Sequence, residues 1–310
     1  MDISLIIATR NRADRLPALF DAVAYQYFPD DVRWEVLIID NGSSDQTLDL
    51  LSSETEMNRL PLKCLEEKTP GKSRALNKAL EVAKGDLIVF TDDDIHPDPN
   101  WLNAFKKAAR LNLKHQGFCG RVLPLWEGTL PNWLNEYGLD ILPEGAINKR
   151  DYGAKSRTLP LGTVPGGVNA ALRKESIKKM GPFREDIGPG TGFPYAEDTE
   201  FMLRLNKMGM QYLYVPEALV YHRNEPSRMT ESYATRWVKE VAQSQIIALH
   251  SETQYPMING YPRYLLQSLL SDYIAWVCGH KKKYRMKRKL SFFKTLGEIK
   301  GFHELKHRSN

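Results

Sequence analysis

Four short apolar-rich runs open the chain: "ISLIIAT" (3–9), "WEVLIID" (34–40), "LKCLEE" (62–67) and "DLIVFTD" (86–92). Their length and content predict β-strands. Three stretches with helical spacing separate them. "RLPALFDAVAYQ" carries Pro17 near its start, where proline is tolerated. "SSDQTLDLLSSE" opens on capping serines and Asp45. "GKSRALNKALEVA" lines Ala75, Leu76, Ala79, Leu80 and Ala83 along one stripe. Strands alternating with helices in this way predict an α/β fold, a parallel sheet with helices on both faces.

After residue 100 the pattern becomes irregular and rich in Gly, Pro and Trp. A strand-like "GFCGRVLPLW" precedes a loop-rich stretch through residue 160. "TVPGGVNAALRKESIKKMG" predicts a turn into a short helix. "FPYAEDTEFMLRLNKMG" predicts a loop into a helix with Phe201, Leu203 and Leu205 near the core. "QYLYVPEALVYH" predicts strand, turn, strand, ending at His222. Past about residue 226 helical spacing returns. In "YLLQSLLSDYIAWVCG", Leu265, Leu266, Leu269, Leu270, Tyr273, Ile274 and Val277 form a broad apolar face, with Gln267, Ser268, Ser271 and Asp272 opposite. The expected organisation is a domain over 1–225, in halves 1–99 and 100–225, and a helical basic extension over 226–310.

Composition changes this picture in one place. The whole-chain charge of +5 hides a polarity: His280–Asn310 holds eleven Lys+Arg and two Asp+Glu, a local +9, which leaves −4 for the rest. Attraction to a polyanion therefore belongs to the tail. An amphipathic helix followed by clustered cations reads as a membrane-surface anchor; the alternative is a helical cap with a solvated basic face. No nucleic-acid partner is expected, because the tail lacks a recognisable module. Cys64, Cys119 and Cys278 form no metal or redox spacing. "MDISLIIATRNR" lacks the basic start and apolar length of a signal peptide, and no run reaches the roughly 18 to 20 apolar residues of a spanning helix. The expected location is cytoplasmic, with peripheral contact at the inner face of the plasma membrane.

Ligands of open α/β sheets bind at the carboxyl ends of the strands. Three polar clusters fall there: "TRNR" (9–12), "DNGSSD" (40–45) and Asp92, Asp93 and Asp94. Adjacent carboxylates repel unless a divalent cation sits among them, and oxygen ligands suit Mg²⁺ or Mn²⁺. Such an ion leaves positions for a diphosphate and eases its departure. The other reading, aspartates capping the helix near Asn100, does not account for the neighbouring clusters.

The segments "SLIIATRNRADRL", "VLIIDNGSSDQT", "GKSRALNKALEVAKGDLIVFTDDD" and "GPFREDIG…YAEDTEF" together resemble family 2 glycosyltransferases of the GT-A fold, over residues 3 to about 225. The resemblance implies inverting sugar transfer from a nucleotide diphosphate donor to a glycan or lipid-linked hydroxyl in cell-surface polysaccharide assembly, with Mn²⁺ or Mg²⁺. It implies a nucleotide-binding first half and an acceptor-binding second half. Asp94 and Asp92 are then expected metal ligands, with Asp92 near the ribose and Asp93 in the variable middle position of the donor site. His222 either completes the metal site or is structural. Thr9, Arg10 and Arg12 leave strand one where the nucleotide is expected. Asp40 either accepts a uracil N–H, which favours a UDP-sugar, or caps the next helix. Gly71 permits close approach and Lys72 meets a phosphate or the base. Asp198 is the expected base, with Glu197 orienting it or the acceptor; the alternative is acids placed at a helix N-terminus for dipole reasons.

Further positions stay open between site and scaffold. These are Arg74 and Asn77, Gly166, Gly167 and Asn169 of "PGGVNAALRK", and Trp126, Trp133 and Tyr195. His96 reads as a turn residue. "YATRW" places Arg236 and Trp237 where processive synthases carry Q-x-x-R-W, but Tyr233 replaces the glutamine and spanning helices are lacking, so single addition is expected. The rival readings are a nucleotidyltransferase, which should show a glycine-rich basic loop after strand one, and a non-catalytic sugar-binding or scaffold protein.

Overall fold

The computed structural model describes residues 1–29, 31–249, 256–258 and 261–308. The contacts group the chain into two units. The first is Met1–Leu125, Lys149–Thr191 and Glu197–Arg223; the second is Trp126–Asn148, Gly192–Ala196 and Asn224–Asn310.

The first unit begins as the hydrophobic pattern dictates: β1 (Ile3–Thr9), α1 (Leu16–Ala24), β2 (Trp34–Asp40), α2 (Thr47–Met57), β3 (Leu62–Glu66), α3 (Lys72–Val82) and β4 (Leu87–Thr91). β1 pairs in parallel with β2 and β4, and β2 with β3. Successive residues of each strand serve opposite faces. Ile3, Leu5 and Ile7 join Leu16, Leu19 and Trp101 in one cluster, whereas Ile6, Leu37, Ile39 and Ile88 join Ala75, Leu76 and Phe201 in the other. Both faces are therefore dry, which is why these strands lack polar alternation. The expected side-chain cap of α2 is missing in its simple form: Gln46 occupies the cap, and Asp45 accepts Thr47 N–H at 3.1 Å.

The rest of the sheet differs from the expectation. β5 (Ile95–Pro97), α4 (Trp101–Leu111) and β6 (Gly117–Trp126) follow, then, after α5 (Asn132–Tyr137), β7 (Arg157–Thr158), β8 (Asn169–Arg173), α6 (Lys174–Met180), α7 (Glu197–Lys207) and β9 (Tyr212–Asn224). The order is β3-β2-β1-β4-β8-β6-β9-β5, with β7 beside β9. β8 pairs antiparallel with β4 and β6, and β9 antiparallel with β5 and β7, so a parallel half is joined to an antiparallel one. "VNAALR" is a strand before its helix, since small residues let it lie between β4 and β6. β9 is one continuous strand rather than two. Pro216 falls between its β7 partners (Leu213, Tyr214) and its β5 partners (Val220–His222), so neither pairing needs the missing N–H.

The second unit holds α5, α8 (Glu231–Leu249), a hairpin of β10 (Met257–Ile258) and β11 (Tyr261–Pro262), α9 (Arg263–Cys278) and α10 (Lys282–Arg308). Residues 250–255 and 259–260, within the stretch expected to be helical, lie outside the described residues. Its core gathers Leu134, Ile141, Met229, Val238, Met286 and Leu290. Gly297 and Gly301 let α10 lie against α8, because a Cβ at Gly297 would come within 2.0 Å of the Lys239 carbonyl. α9 reverses the usual sorting. Leu265 and Asp272 are its buried residues, and most of the face expected to be apolar is exposed.

Candidate active site

β4 delivers Asp92, Asp93 and Asp94 to the carboxyl edge, and the β5–β9 register sets Ile95 opposite His222. That pairing brings a distant imidazole to the aspartates. Ligand atoms of Asp92, Asp94 and His222 all lie within 4.8 Å of one another. His222 Nε2 is 3.2 Å from Asp94 Oδ1 and 3.7 Å from Asp92 Oδ2. His222 Nδ1 lies 3.0 Å from the Arg223 carbonyl, so a proton on Nδ1 leaves the Nε2 lone pair facing the acids. Two carboxylates and one imidazole aimed at a common point fit a divalent cation of the Mn²⁺ or Mg²⁺ kind.

Asp93 turns elsewhere. Its carboxylate accepts the Thr9 hydroxyl at 2.7 Å and Arg12 Nε at 3.3 Å. Burial first, then the neighbouring Asp94, push it up to about 6, and Arg12 and Thr9 oppose them. Thr9 and Arg12 thus brace the middle aspartate, while Arg10 is exposed.

Lys72, at the start of α3, places Nζ 2.5 Å from Asp92 Oδ1 and 4.0 Å from Glu197 Oε1. Burial works against its charge, but Asp92 and Glu197 outweigh burial and hold the ammonium protonated. Burial likewise opposes the Asp92 charge, and Lys72 foremost outweighs it, keeping that carboxylate well below the usual range. Gly71 has φ 141°, donates its N–H to Asn41 Oδ1 at 2.8 Å, and lies so close to Gly190 that a Cβ there would be 2.8 Å from Gly71 N. The strap 183–190 is sewn to α3. Lys72 N–H donates to the Pro189 carbonyl, Ser73 Oγ to the Ile187 carbonyl, and Asn77 bonds both backbone groups of Phe183 and donates to the Glu185 carboxylate. Arg74 pairs with Glu185 at 2.7 Å. Arg74 and Asn77 therefore position that strap.

Glu197 and Asp198 begin α7, directly after Ala196, whose φ of 76° is rare outside glycine. Glu197 is buried; burial first and then Asp198 push it up to about 8, against the pull of Lys72. Asp198 Oδ2 accepts Gly167 N–H at 2.7 Å and Oδ1 accepts Thr199 N–H at 2.6 Å. A small cleft is lined by Lys72, Thr91, Gly167, Glu197 and Asp198 over apolar Leu76, Phe90 and Met202. Asp40, fully buried at the end of β2, accepts Ser43 N–H with Oδ2, while Oδ1 has no partner. It caps a turn rather than α2.

Asn169 is scaffold. It accepts Trp101 Nε1 and donates to the carbonyls of Arg121 and Ala218, which spends its amide inside the core. His96 is exposed in β5. Trp126, Trp133 and Trp237 pack on the second unit's core, and Tyr195 meets Trp237 edge-on at 6.1 Å. The Arg236 guanidinium lies over Tyr233. Two contributors are not singled out individually as site residues by the sequence pattern, although Asn41 lies in the polar cluster 40–45. Asn41 holds Gly71 and the carbonyls of Glu67 and Thr69. Arg150, bridged to Val122, brings Nη2 to 3.9 Å from where a Gly166 Cβ would stand, with Asp198 Oδ2 at 3.7 Å from the same point.

The family model described as "Glycosyl transferase family 2" matches residues 4–181. The chain is 24% identical over 244 residues to the probable glycosyltransferase YdaM of Bacillus subtilis, covering 76% of this chain and 54% of that protein. It spans about half, or less, of the length of the first curated relatives it matches. Among solved structures, the mannosyltransferase PcManGT from Pyrobaculum calidifontis in complex with GDP-Man and Mn²⁺ superposes with TM-score 0.61 at 19% identity, covering 97% of this chain and 87% of that one. Residues 1–349 of S. aureus TarS in complex with UDP-GlcNAc superpose with TM-score 0.53 at 17% identity, covering 99% and 92%. At these identities the superpositions show a shared fold.

Proposed function

The chain belongs to glycosyl transferase family 2, and on that premise we propose that it is an inverting, metal-dependent glycosyltransferase that moves a sugar from a nucleoside diphosphate donor to a hydroxyl of a glycan or lipid-linked acceptor in cell-surface polysaccharide assembly. The observation that carries the reading is the meeting of Asp92, Asp94 and His222 at one point, on the same strand edge as Lys72, Glu197 and Asp198. Asp92, Asp94 and His222 would hold Mn²⁺ or Mg²⁺, which neutralises the diphosphate and assists its departure.

The remaining chemistry belongs to the chain's own side chains. Asp198 takes the proton of the attacking hydroxyl. Its Gly167 and Thr199 hydrogen bonds fix the carboxylate, and the N-terminus of α7 favours its negative charge. Glu197, buried and pushed up to about 8 by burial and Asp198 against the pull of Lys72, orients the acceptor or Asp198. Lys72 supplies positive charge beside Asp92 for the donor phosphates. Asp93, fixed by Thr9 and Arg12, keeps the loop of Asp92 and Asp94 in place. One unpartnered oxygen on Asp40 matches the single ring N–H of uracil better than the paired donors of guanine, so a UDP-sugar is favoured.

The finer reading of location is peripheral contact with the inner face of a membrane through the basic helices of the second unit. No helix among the described residues is long and apolar enough to cross one.

A thermal-shift panel of nucleotide sugars with and without Mn²⁺ tests the donor. Donor at 100 times Kd stabilises by about 2.7 kcal/mol, so a UDP-sugar with Mn²⁺ should raise Tm by several degrees. Absence of a shift with every member contradicts the reading.

A further inference from the structure

α9 is mounted with its apolar side outward. Leu266, Leu270, Tyr273, Ile274 and Val277 recur at helical spacing on one side and are between 37% and 63% exposed. The opposite side is fixed to α10: Asp272 receives Arg288 Nη1 at 2.9 Å and Ser291 Oγ at 2.5 Å, and Leu265 is buried. The stripe is therefore not a core face awaiting a small rotation, since turning it inward would expose Leu265 and break both bonds to Asp272. Isolated exposed leucines need no explanation, but a continuous row on a firmly held helix marks a surface that meets something apolar.

The charges at the ends of the stripe say what that is. His280, Lys281, Lys282, Lys283 and Arg285 follow its carboxyl end. Lys282 and Lys283 touch Glu136 and Asp140, both well exposed, and exposed pairs of this kind hold their partners weakly. Among the described residues Lys281 and Arg285 make no ion pair. Exposed Arg263 stands at the other end of α9. A second copy of the chain, docked parallel or antiparallel on this stripe, would bring cation against cation. A bilayer with anionic headgroups meets both features: acyl chains take the stripe and phosphates take the basic turn. Tyr264, Tyr273 and Tyr284 are also exposed, and tyrosine suits the boundary between headgroup and chain.

We propose that the outward stripe of α9, with the Lys281–Arg285 turn beside it, is a docking face for an anionic lipid surface. This gives the peripheral contact named above its surface. It rests on α9 and α10 alone, so it stands or falls apart from the transfer chemistry.

The test is sedimentation of the full chain with vesicles of phosphatidylcholine, or of equal parts phosphatidylcholine and phosphatidylglycerol, at low and high salt. The chain should bind the anionic vesicles more tightly and lose that preference as salt rises. Leu270→Glu with Ile274→Glu should weaken partitioning by ~10-fold or more, and Lys281→Gln with Arg285→Gln by ~10-fold. All four positions are exposed, and each variant is checked for an unchanged Tm and an unchanged nucleotide-dependent thermal shift. Equal sedimentation of the variants and the unaltered chain would overturn the proposal. So would indifference to headgroup charge, or a dimer in light scattering that Leu270→Glu dissolves. A retained nucleotide shift alongside lost vesicle binding separates this face from the transfer reading.

Discussion

Acids drawn wholly or partly out of solvent occur in two regions, and their surroundings differ. Asp272 of α9 is answered within its own pair of helices by Arg288 and Ser291. Asp92 and Asp94 converge with His222 on one point, and the Lys72 ammonium touches Asp92. The first arrangement is a latch: charge and hydrogen bonds close on each other, and the helix is fixed. The second gathers two carboxylates and a ligand-type nitrogen within reach of one another, a donor set that suits a further cation. A carboxylate withdrawn from solvent is thus a sign of function when it converges with other ligand-type atoms rather than with a cation of its own helix pair.

The largest effect expected from this contrast is at Asp198. Asp198→Asn should lower kcat by about 10²- to 10⁴-fold, the usual worth of a positioned base, while nucleotide affinity stays unchanged. Loss of nucleotide binding instead would make Asp198 a donor-site residue. Next, Asp94→Asn should lower turnover by ~100-fold or more, whereas Asp272→Asn should leave turnover at the level of the unaltered chain. Equal losses at both positions would erase the distinction between latch and opening.

The fold of the parallel half was legible because its causes are local. Each strand is a short apolar run, each helix a separate period, and each polar cluster ends a strand. The triple aspartate was legible because adjacent like charges carry a physical penalty. The position of His222 beside it is set by the β5–β9 register, which sequence period does not encode; only the resemblance pointed there. β8 was read as part of a helix because "NAAL" is small and helix-tolerant; its strand conformation comes from lying between β4 and β6. Asn169 stays open between site and scaffold in the sequence because the partners of its amide, Trp101, Arg121 and Ala218, are at least 48 residues away. Periodicity gave α9 its two faces but not which one points outward, because Asp272 finds its partners sixteen and nineteen residues away. The bracing of Asp93 by Thr9 spans 84 residues and is invisible to any local window.

The site's charges also predict a pH signature. Glu197 at about 8 and Asp93 at about 6 both lie above their unfolded values. The folded chain therefore holds more protons than the unfolded one between those ranges. The stabilising share of these two groups is full below about pH 4 and is lost as pH rises toward 8, with a slope of up to ~1.4 kcal/mol per pH unit for each proton. Glu197→Gln should flatten that decline between about pH 5 and 8 in metal-free denaturation curves. An unchanged slope would mean that Lys72 keeps Glu197 ionised. The smallest effect belongs to the latch. Asp272→Asn should cost about 1 kcal/mol of stability, because Arg288 is half exposed and solvent screens the pair. Urea denaturation measures it, and a loss as large as that of a fully buried ion pair would show a tighter latch than the geometry implies.

The central claim is that Asp92, Asp94 and His222 hold a divalent cation that grips the donor's diphosphate. Titration calorimetry of UDP into the chain, with Mn²⁺ and again with EDTA, tests it most directly. The account predicts at least ~10-fold tighter binding with Mn²⁺, and loss of that gain in His222→Ala. Equal affinity under both conditions would contradict it.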